Sequence, residues 1–410
     1  MNALYNTAIS LYAFAAKLAS AKNLKAKLMI EGQRQTMDIL KRDLDPKEKY
    51  IWIHVSSLGE FEQGRPLIEK IKQDMPAKKI LLTFFSPSGY EVCKNYDLAD
   101  VICYLPFDIP SRVRAFLDAV NIETAIFVKY EFWGNYLGEL KRRGIPTYII
   151  SAIFRPSQAF FKPYGGTFRK MLACYNTIFV QDKESAELLA GIGVKNVVIS
   201  GDTRFDRVTD ILGDKFDLPI VETFARGQFT LFVGSSWQPD EEFIIPFFNS
   251  HPEMKMVIAP HEISKERIEG IKEKITRPVA LYTQSTPESA VEADCLIIDC
   301  FGILSKSYRF ATVAYVGGGF GVGIHNINEA AVYGVPVVFG PNYRKFKEAR
   351  DLIALEGAFT INNGEEYSEV MTRLLNDGDF LLKHGDIAGK YIKENRGATK
   401  RIYSQIFTSK

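Results

Sequence analysis

From Tyr50 to Ser200 the chain alternates short β-rich runs with stretches of helical periodicity: YIWIHV, KILLTFF, VICYL, TAIFV, PTYIIS, TIFVQ and VVIS. Such runs, separated by helix-length segments, predict a parallel α/β sheet. The alternation pauses in a polar stretch beginning at Gly201, GDTRFDRVTDILGDKFDLP, and restarts with FTLFVG, MKMVIA, PVALY, DCLIID, TVAYVGGG and VPVVFG. A second sheet of the same type is expected there. The expected fold class is therefore α/β, with two Rossmann-like domains, residues 36–210 and 211–385, facing each other across a cleft at the carboxyl ends of their sheets, where open α/β folds bind ligands. From Tyr367 onward the pattern is helical, and residues 386–410 are expected as a final helix able to cross back onto the first domain.

Ahead of the first strand, Leu4, Ala8, Leu11, Ala15 and Leu18 recur at helical spacing, flanked by Tyr5, Ile9 and Tyr12. Asn2, Asn6, Ser10 and Lys17 interrupt the apolar run, and a spanning helix needs about 20 predominantly apolar residues. A cleavable leader is disfavoured because no basic region precedes the apolar part, although Ala19-Ser20-Ala21 has the small residues of a cleavage site. Residues 1–35 hold Lys17, Lys22, Lys25, Lys27 and Arg34 against Glu31 alone. Aromatic and aliphatic side chains followed by lysines fit a membrane-associating interfacial helix, each lysine worth about 1 kcal/mol near anionic headgroups. A helix packed on its own domain is the alternative.

The 410 residues carry a net charge of +2, and outside that arm 46 basic side chains face 48 acidic ones, which excludes a body-wide nucleic-acid footprint. A hydrophobic fraction of 46% and a mean hydropathy of -0.07 exclude a disordered scaffold. The five cysteines (Cys93, Cys103, Cys174, Cys295, Cys300) form no CxxC pair, and the histidines show no metal-type spacing. No metal site or other cofactor is expected, and Asp43-x-Asp45 reads as a solvated linker.

Two loops carry candidate chemistry. After TVAYV come Gly317, Gly318, Gly319, Phe320, Gly321, Val322 and Gly323, then His325, Asn326 and Glu329. Glycines between a strand and a helix let backbone amides approach a phosphate. The register is not GxGxxG, so dinucleotide binding is disfavoured, and no Walker A motif supports ATP hydrolysis. Glu329 can accept hydrogen bonds from ribose hydroxyls, or close a capping box with Asn326, which would cap the helix facing the phosphate. In the first domain IWIHV runs into Ser56, Ser57, Leu58, Gly59 and Glu60. Glu60 is placed to take a proton from an acceptor hydroxyl, or to close a capping box with Ser57. Spacing leaves both pairs open.

These segments resemble, in order and over nearly the whole chain, the 3-deoxy-D-manno-octulosonic acid (Kdo) transferases of lipopolysaccharide synthesis, inverting enzymes of the GT-B fold. WIHVSSLGEFEQGRPLI is similar to the family's WIHAxSxGE segment, YLPFDIPSRVRAFL to YLPYD, YEFWGN to TELWPN, GDTRFD to GNxKFD and GSSW to GSTH. VAYVGGGFGVGIHNINEAAVYGVPVVFGP is similar to the glycine-rich HNxLEPA and GP signature. The resemblance implies Glu60 as catalytic base, with Ser57, Gly59, Glu131, Trp133 and Asn135 on the acceptor side. On the donor side it implies Arg204, Gly234, Ser235, Ser236, His261, Gly318, Gly319, His325, Asn326 and Glu329. Lys129 and Gly134 stand where the family pattern has Glu and Pro, Pro260 where it has Arg, Ile303 where it has Glu and Asn328 where it has Leu.

The resemblance further implies CMP-Kdo as donor, a lipid A precursor as acceptor, no metal requirement and a place at the anionic lipid surface on the cytoplasmic face of the bacterial inner membrane. A UDP-sugar transferase with a lipid acceptor is the nearest rival. A non-catalytic two-lobed binding protein is the rival of another class, and would need no base. The number of Kdo residues transferred and the oligomeric state are not written in the sequence.

Overall fold

The computed structural model describes residues 3–213 and 217–408. The chain forms two compact units, one holding the chain up to Arg207 together with the stretch from Arg396 on, the other Val208–Asn395. The breaks fall three residues before the expected 210/211 boundary and ten after the expected 385/386 boundary. The reason for the second difference is helical continuity, since Gly378–Asn395 is one helix and only the following Ala398–Tyr403 helix joins the first unit.

The first unit holds a seven-stranded parallel sheet of β1 (Tyr50–Val55), β2 (Lys79–Phe84), β3 (Val101–Tyr104), β4 (Ile122–Val128), β5 (Thr147–Ala152), β6 (Thr177–Val180) and β7 (Val197–Ile199), in the order β3-β2-β1-β4-β5-β6-β7. Alternation along β1 divides its side chains between two cores. Tyr50 and Trp52 pack with Phe116, Phe127 and Tyr136, while Ile51, Ile53 and Val55 pack with Phe61, Leu67 and Phe84. The second core is completed from the end of the chain by Ile402, Tyr403 and Ile406. Asp206 fixes that return by accepting the backbone N–H groups of Gly397 and Thr399 at the start of the last helix.

The second unit repeats the plan with β8 (Phe229–Ser236), β9 (Met254–Pro260), β10 (Val279–Leu281), β11 (Cys295–Ile297), β12 (Val313–Val316), β13 (Val337–Phe339) and β14 (Ala358–Thr360). Their order is β10-β11-β9-β8-β12-β13-β14, again all parallel. The edge strand β14, Ala-Phe-Thr, holds a single large apolar side chain and makes no apolar run in the sequence.

The N-terminal region is two helices, α1 (Ala3–Ala19) and α2 (Leu24–Asp43), with Asn23 capping the second by accepting the Ala26 N–H. It is not a separate segment ending at residue 35, because Leu40 of α2 is buried in the first-unit core. On α1, Leu4, Ala8, Leu11, Ala15 and Leu18 are exposed, Leu11 at 63% and Leu18 at 62%. The opposite face docks. Tyr5 donates to Asp108 at 2.6 Å and accepts the Gly134 N–H, Asn6 accepts from Asn135 at 2.9 Å, and the Tyr12 ring lies 5.7 Å from Phe107. Among the described residues no helix is long and apolar enough to cross a membrane.

Candidate active site

Helix α3 (Leu58–Asp74) starts directly after β1 and presents Glu60 in its first turn. Gln63 locks its angle, since the amide donates to Asp202 at 3.1 Å and the backbone carbonyl accepts from the Thr203 hydroxyl at 2.6 Å. Ser57 is the N-cap residue but makes no capping bond to the backbone. Its hydroxyl donates instead to Glu60 Oε2 at 3.0 Å, so the capping-box alternative is not the geometry adopted. Burial, then the neighbouring Glu131 carboxylate, raise the pKa of Glu60 above the ordinary glutamate value, against the opposing pull of the Ser57 hydrogen bond and Lys129. Gly59 is exposed beside it, and a Cβ there would meet nothing within 4 Å.

Glu131, after β4, is 4% exposed. Its carboxylate accepts from Ser56 Oγ at 2.6 Å, from His54 Nε2 at 3.1 Å and from the Trp133 indole. On its other side His54 Nδ1 lies 3.1 Å from the Thr83 carbonyl oxygen and 2.9 Å from Thr83 Oγ1, which itself accepts from Trp52 Nε1 at 2.8 Å. Three donors are thus aimed at the buried Glu131 carboxylate and hold it in place. Asn135 is not part of this cluster. It donates to Asn6 and to the Asp108 carbonyl, fastening α1 to the domain. Burial lifts the Asp108 carboxyl at that fastening to about 6.

His54 and Ser56 are the residues that sequence reasoning missed. The available signal was a histidine inside an apolar parallel strand, which is buried on both faces and demands a partner.

In the second unit, β8 ends in Gly234, Ser235 and Ser236, with Ser235 in the left-handed region at φ 53°. A Cβ on Gly234 would lie 1.8 Å from the Tyr308 hydroxyl, and one on Gly319 would lie 2.6 Å from the Gly340 backbone. These two glycines are required by close packing. The buried Asp240 ties the two loops together by accepting from Trp237 N at 2.9 Å, Gly318 N at 3.2 Å and Tyr315 Oη at 2.7 Å. Burial raises its pKa, against those bonds. Next to it, the buried Glu241 accepts from Ser236 at 2.7 Å and pairs with Arg267. The amides of Gly317, Gly318, Gly321, Gly323 and His325 all go to protein acceptors, so the phosphate cradle expected of this loop is left to its other amides and to side chains.

Three rings line the same place. Trp237 stacks on His261 at 4.4 Å, His261 lies 4.7 Å from His325, and the Trp237 indole donates to His325 Nε2 at 3.4 Å. Asn326 does not cap a helix of useful length. It donates to Glu329 at 3.0 Å and accepts the Asn328 N–H, at the start of a four-residue helical turn, Asn328–Ala331. Arg204 lies in the first unit, bonded to Asp202 at 2.7 Å and 2.9 Å. A carboxylate two residues away captures the guanidinium, and although burial opposes it this pairing holds Asp202 below the usual carboxylate range.

Two parallel Rossmann-like units, with a carboxylate cluster at the strand ends of one and a glycine-rich loop and aromatic group at those of the other, give the chain the GT-B fold. The fold matches UDP-GlcNAc 2-epimerase from Neisseria meningitidis with a TM-score of 0.63 at 14% identity, covering 88% of this chain and 100% of that one. It matches MurG from Acinetobacter baumannii with a TM-score of 0.56 at 13% identity, covering 88% and 99%. The family model described as 3-deoxy-D-manno-octulosonic-acid transferase (kdotransferase) matches residues 31–207. A 3-deoxy-D-manno-octulosonic acid transferase of Aquifex aeolicus is 28% identical over 376 residues, 88% of this chain and 98% of its own. One of Haemophilus influenzae is 27% identical over 374 residues, 87% of this chain and 86% of its own. Residues 31–207 thus carry the Kdo transferase family domain, and the chain is similar to Kdo transferases over most of its length.

Two outcomes test this geometry. Burial, then the nearby His261, lower the pKa of His325. His325 should therefore titrate below free histidine in an NMR experiment, and His261→Ala should move it partway up; no movement would mean the rings do not share this site. Asn328 is fully buried with neither side-chain polar atom partnered. Asn328→Leu should stabilise the protein by about 1–3 kcal/mol, the cost of a buried orphan group, and an unchanged or lower melting temperature would contradict it.

Proposed function

We propose that the chain is an inverting, metal-independent glycosyltransferase that moves Kdo from CMP-Kdo to a lipid A precursor in lipopolysaccharide core biosynthesis, working on the cytoplasmic face of the bacterial inner membrane. The observation that carries the reading is Glu60, a half-buried carboxylate at a strand-to-helix turn whose proton affinity is raised by burial and by Glu131. The similarity to Kdo transferases supports the reaction class, and the relatives' printed name supports the sugar.

In this reading Glu60 takes the acceptor hydroxyl proton as that oxygen bonds to the anomeric carbon of Kdo. The bond from that carbon to the CMP phosphate oxygen breaks on the opposite face, and CMP leaves with the electron pair. A raised pKa serves a base, because proton transfer is best driven by a group that titrates nearer the working pH. Glu131 acts through Glu60 as a positioning charge. Ser235, Ser236, His261, Gly318, Gly319, His325, Asn326 and Glu329 are assigned to the donor, Glu329 to ribose hydroxyls and the others to phosphate and sugar. Among the described residues no group of three His, Cys, Asp or Glu is arranged to hold a metal ion.

The reading is tested by the isosteric change Glu60→Gln, assayed for CMP release from CMP-Kdo with lipid acceptor in EDTA, with UDP-sugars as controls. The transfer rate should fall roughly 10²- to 10⁴-fold, as for a positioned base, with the melting temperature unchanged. Glu131→Gln adds a signed test: with the like charge gone, Glu60 loses its proton more readily, so the acidic limb of the pH–rate profile should move to lower pH. A near-normal rate in Glu60→Gln, or a limb moved the other way, would overturn the assignment.

The membrane part of the reading rests on the outward apolar row of α1 and on Lys22, Lys25 and Lys27, all exposed beyond it. Replacing Leu11, Phe14 and Leu18 with Ser should weaken flotation with phosphatidylglycerol vesicles. Residual binding should be salt-sensitive, because exposed charges are screened beyond about 10 Å at 0.1 M. Flotation equal to that of the unaltered chain would remove α1 from the membrane.

A further inference from the structure

A cavity of about 380 Å³ opens between α1, α2 and the segment after β3, within the size range of small-molecule sites. Its walls are apolar, formed by Ala13, Ile30, Met37 and Phe107. Around it stand Lys17, Arg34 and Arg112, three exposed cations with no ion pair to any carboxylate among the described residues. Arg112 instead lies over the Phe107 ring, 5.8 Å from its centre. Gln33 also lines the cavity and is 8% exposed. Its Oε1 is occupied by the Phe107 N–H at 3.1 Å, which fixes the amide orientation, and its Nε2 is buried with no acceptor.

Apolar walls, an unpaired cationic group and one orphaned buried donor together describe what is missing: an acyl chain carrying an anionic oxygen-rich head. An anion alone would leave the walls of Ile30, Met37 and Phe107 unused, and a neutral chain would leave three cations unpaired. We propose that this cavity is a lipid site that takes one acyl chain of an anionic membrane phospholipid, with the phosphate met by Lys17, Arg34 and Arg112 and Gln33 Nε2 donating to a lipid oxygen. It extends the reading of α1 as a membrane-lying helix and rests on it, but is a separate site. The outward row of Leu11, Phe14 and Leu18 decides flotation, whereas the inward Ala13 and the cations decide whether a single lipid molecule is held.

The test is calorimetric titration of the full chain, below the critical micelle concentration, with monomyristoyl phosphatidylglycerol, with its phosphatidylcholine counterpart, and with inorganic phosphate. Saturable one-to-one binding of the anionic lipid is expected, at least tenfold weaker for the choline lipid and undetectable for phosphate. Ala13→Trp, which fills the cavity, should abolish the binding. Arg34→Glu with Arg112→Glu, both at exposed positions, should weaken it at least tenfold, and decides the matter if Ala13→Trp does not fold. Equal binding of the two lipids, phosphate binding as tight as lipid, non-saturating uptake, or an affinity unmoved by either variant would overturn the site. Flotation lost in the Leu11, Phe14 and Leu18 variant with one-to-one binding retained would separate failure of membrane association from failure of the cavity.

Discussion

Both sheets are parallel and covered on both faces, and that constraint decides where chemistry can occur in this chain. The interior of each sheet is apolar enough that a charge there has almost no partners, so polar groups collect where the strands stop. The backbone bears the mark of this. Of the four non-glycine residues with positive φ among those described, Lys129 follows β4, Ser151 is next to last in β5 and Ser235 next to last in β8. A left-handed non-glycine residue costs on the order of 1–3 kcal/mol and persists only where its surroundings over-determine it. At Lys129 and Ser151 those surroundings are visible: the Lys129 N–H donates to Ile150, and Ser151 shares a hydroxyl contact with Thr203 while its carbonyl accepts from Gln181.

Each unit solves the problem of shaping its strand-end loops with a buried carboxylate. Glu131 gathers His54, Ser56 and Trp133 in the first, and Asp240 gathers two backbone amides and Tyr315 in the second. A buried charge is costly unless it is fully hydrogen-bonded, and removing one partner of such a group typically costs about 3–5 kcal/mol. Those magnitudes make the two carboxylates stiff fasteners and poor reagents. Glu60, by contrast, has one hydroxyl donor and partial exposure.

This division bears on what could be read from the residues alone. Thirteen of the fourteen strands announce themselves as apolar runs, even the partly exposed edge strands β7 and β10; β14, Ala-Phe-Thr, does not, because one large apolar side chain makes no run. The place of Glu60 follows from the strand-to-turn-to-helix pattern. Its partner does not, since Ser57 and Glu60 have the spacing of a capping box whether the hydroxyl accepts from the backbone or donates to the carboxylate. Arg204 and Asn135 show a related effect. Each carries a group suited to a substrate, and each is captured by a protein group, Asp202 two residues along the chain and Asn6 at a separation of 129 residues. The first capture was legible from neighbours; the second depends on α1 folding back, which no local pattern encodes. His54 was hidden by its company, a polar residue whose justification lies on another strand.

The folding back of α1 is more than attachment. Tyr12 stacks on Phe85 at 6.4 Å, Phe85 packs on Trp133 at 4.8 Å, and the Trp133 indole donates to Glu131, whose charge raises the proton affinity of Glu60. Close-packed rings transmit displacement because interiors have no free volume to absorb it. The helix whose outer face is apolar and unpartnered within its own unit is thus in mechanical contact, through three side chains, with the carboxylate that raises the proton affinity of Glu60. An element serving only as a tether would need a flexible connection and no such contacts. Here Asp108 instead binds α1 through Tyr5 and holds the start of the Gly134–Arg142 helix through the amides of Asn135 and Tyr136, so a single buried carboxyl sets the position of the helix and of the Trp133 loop together.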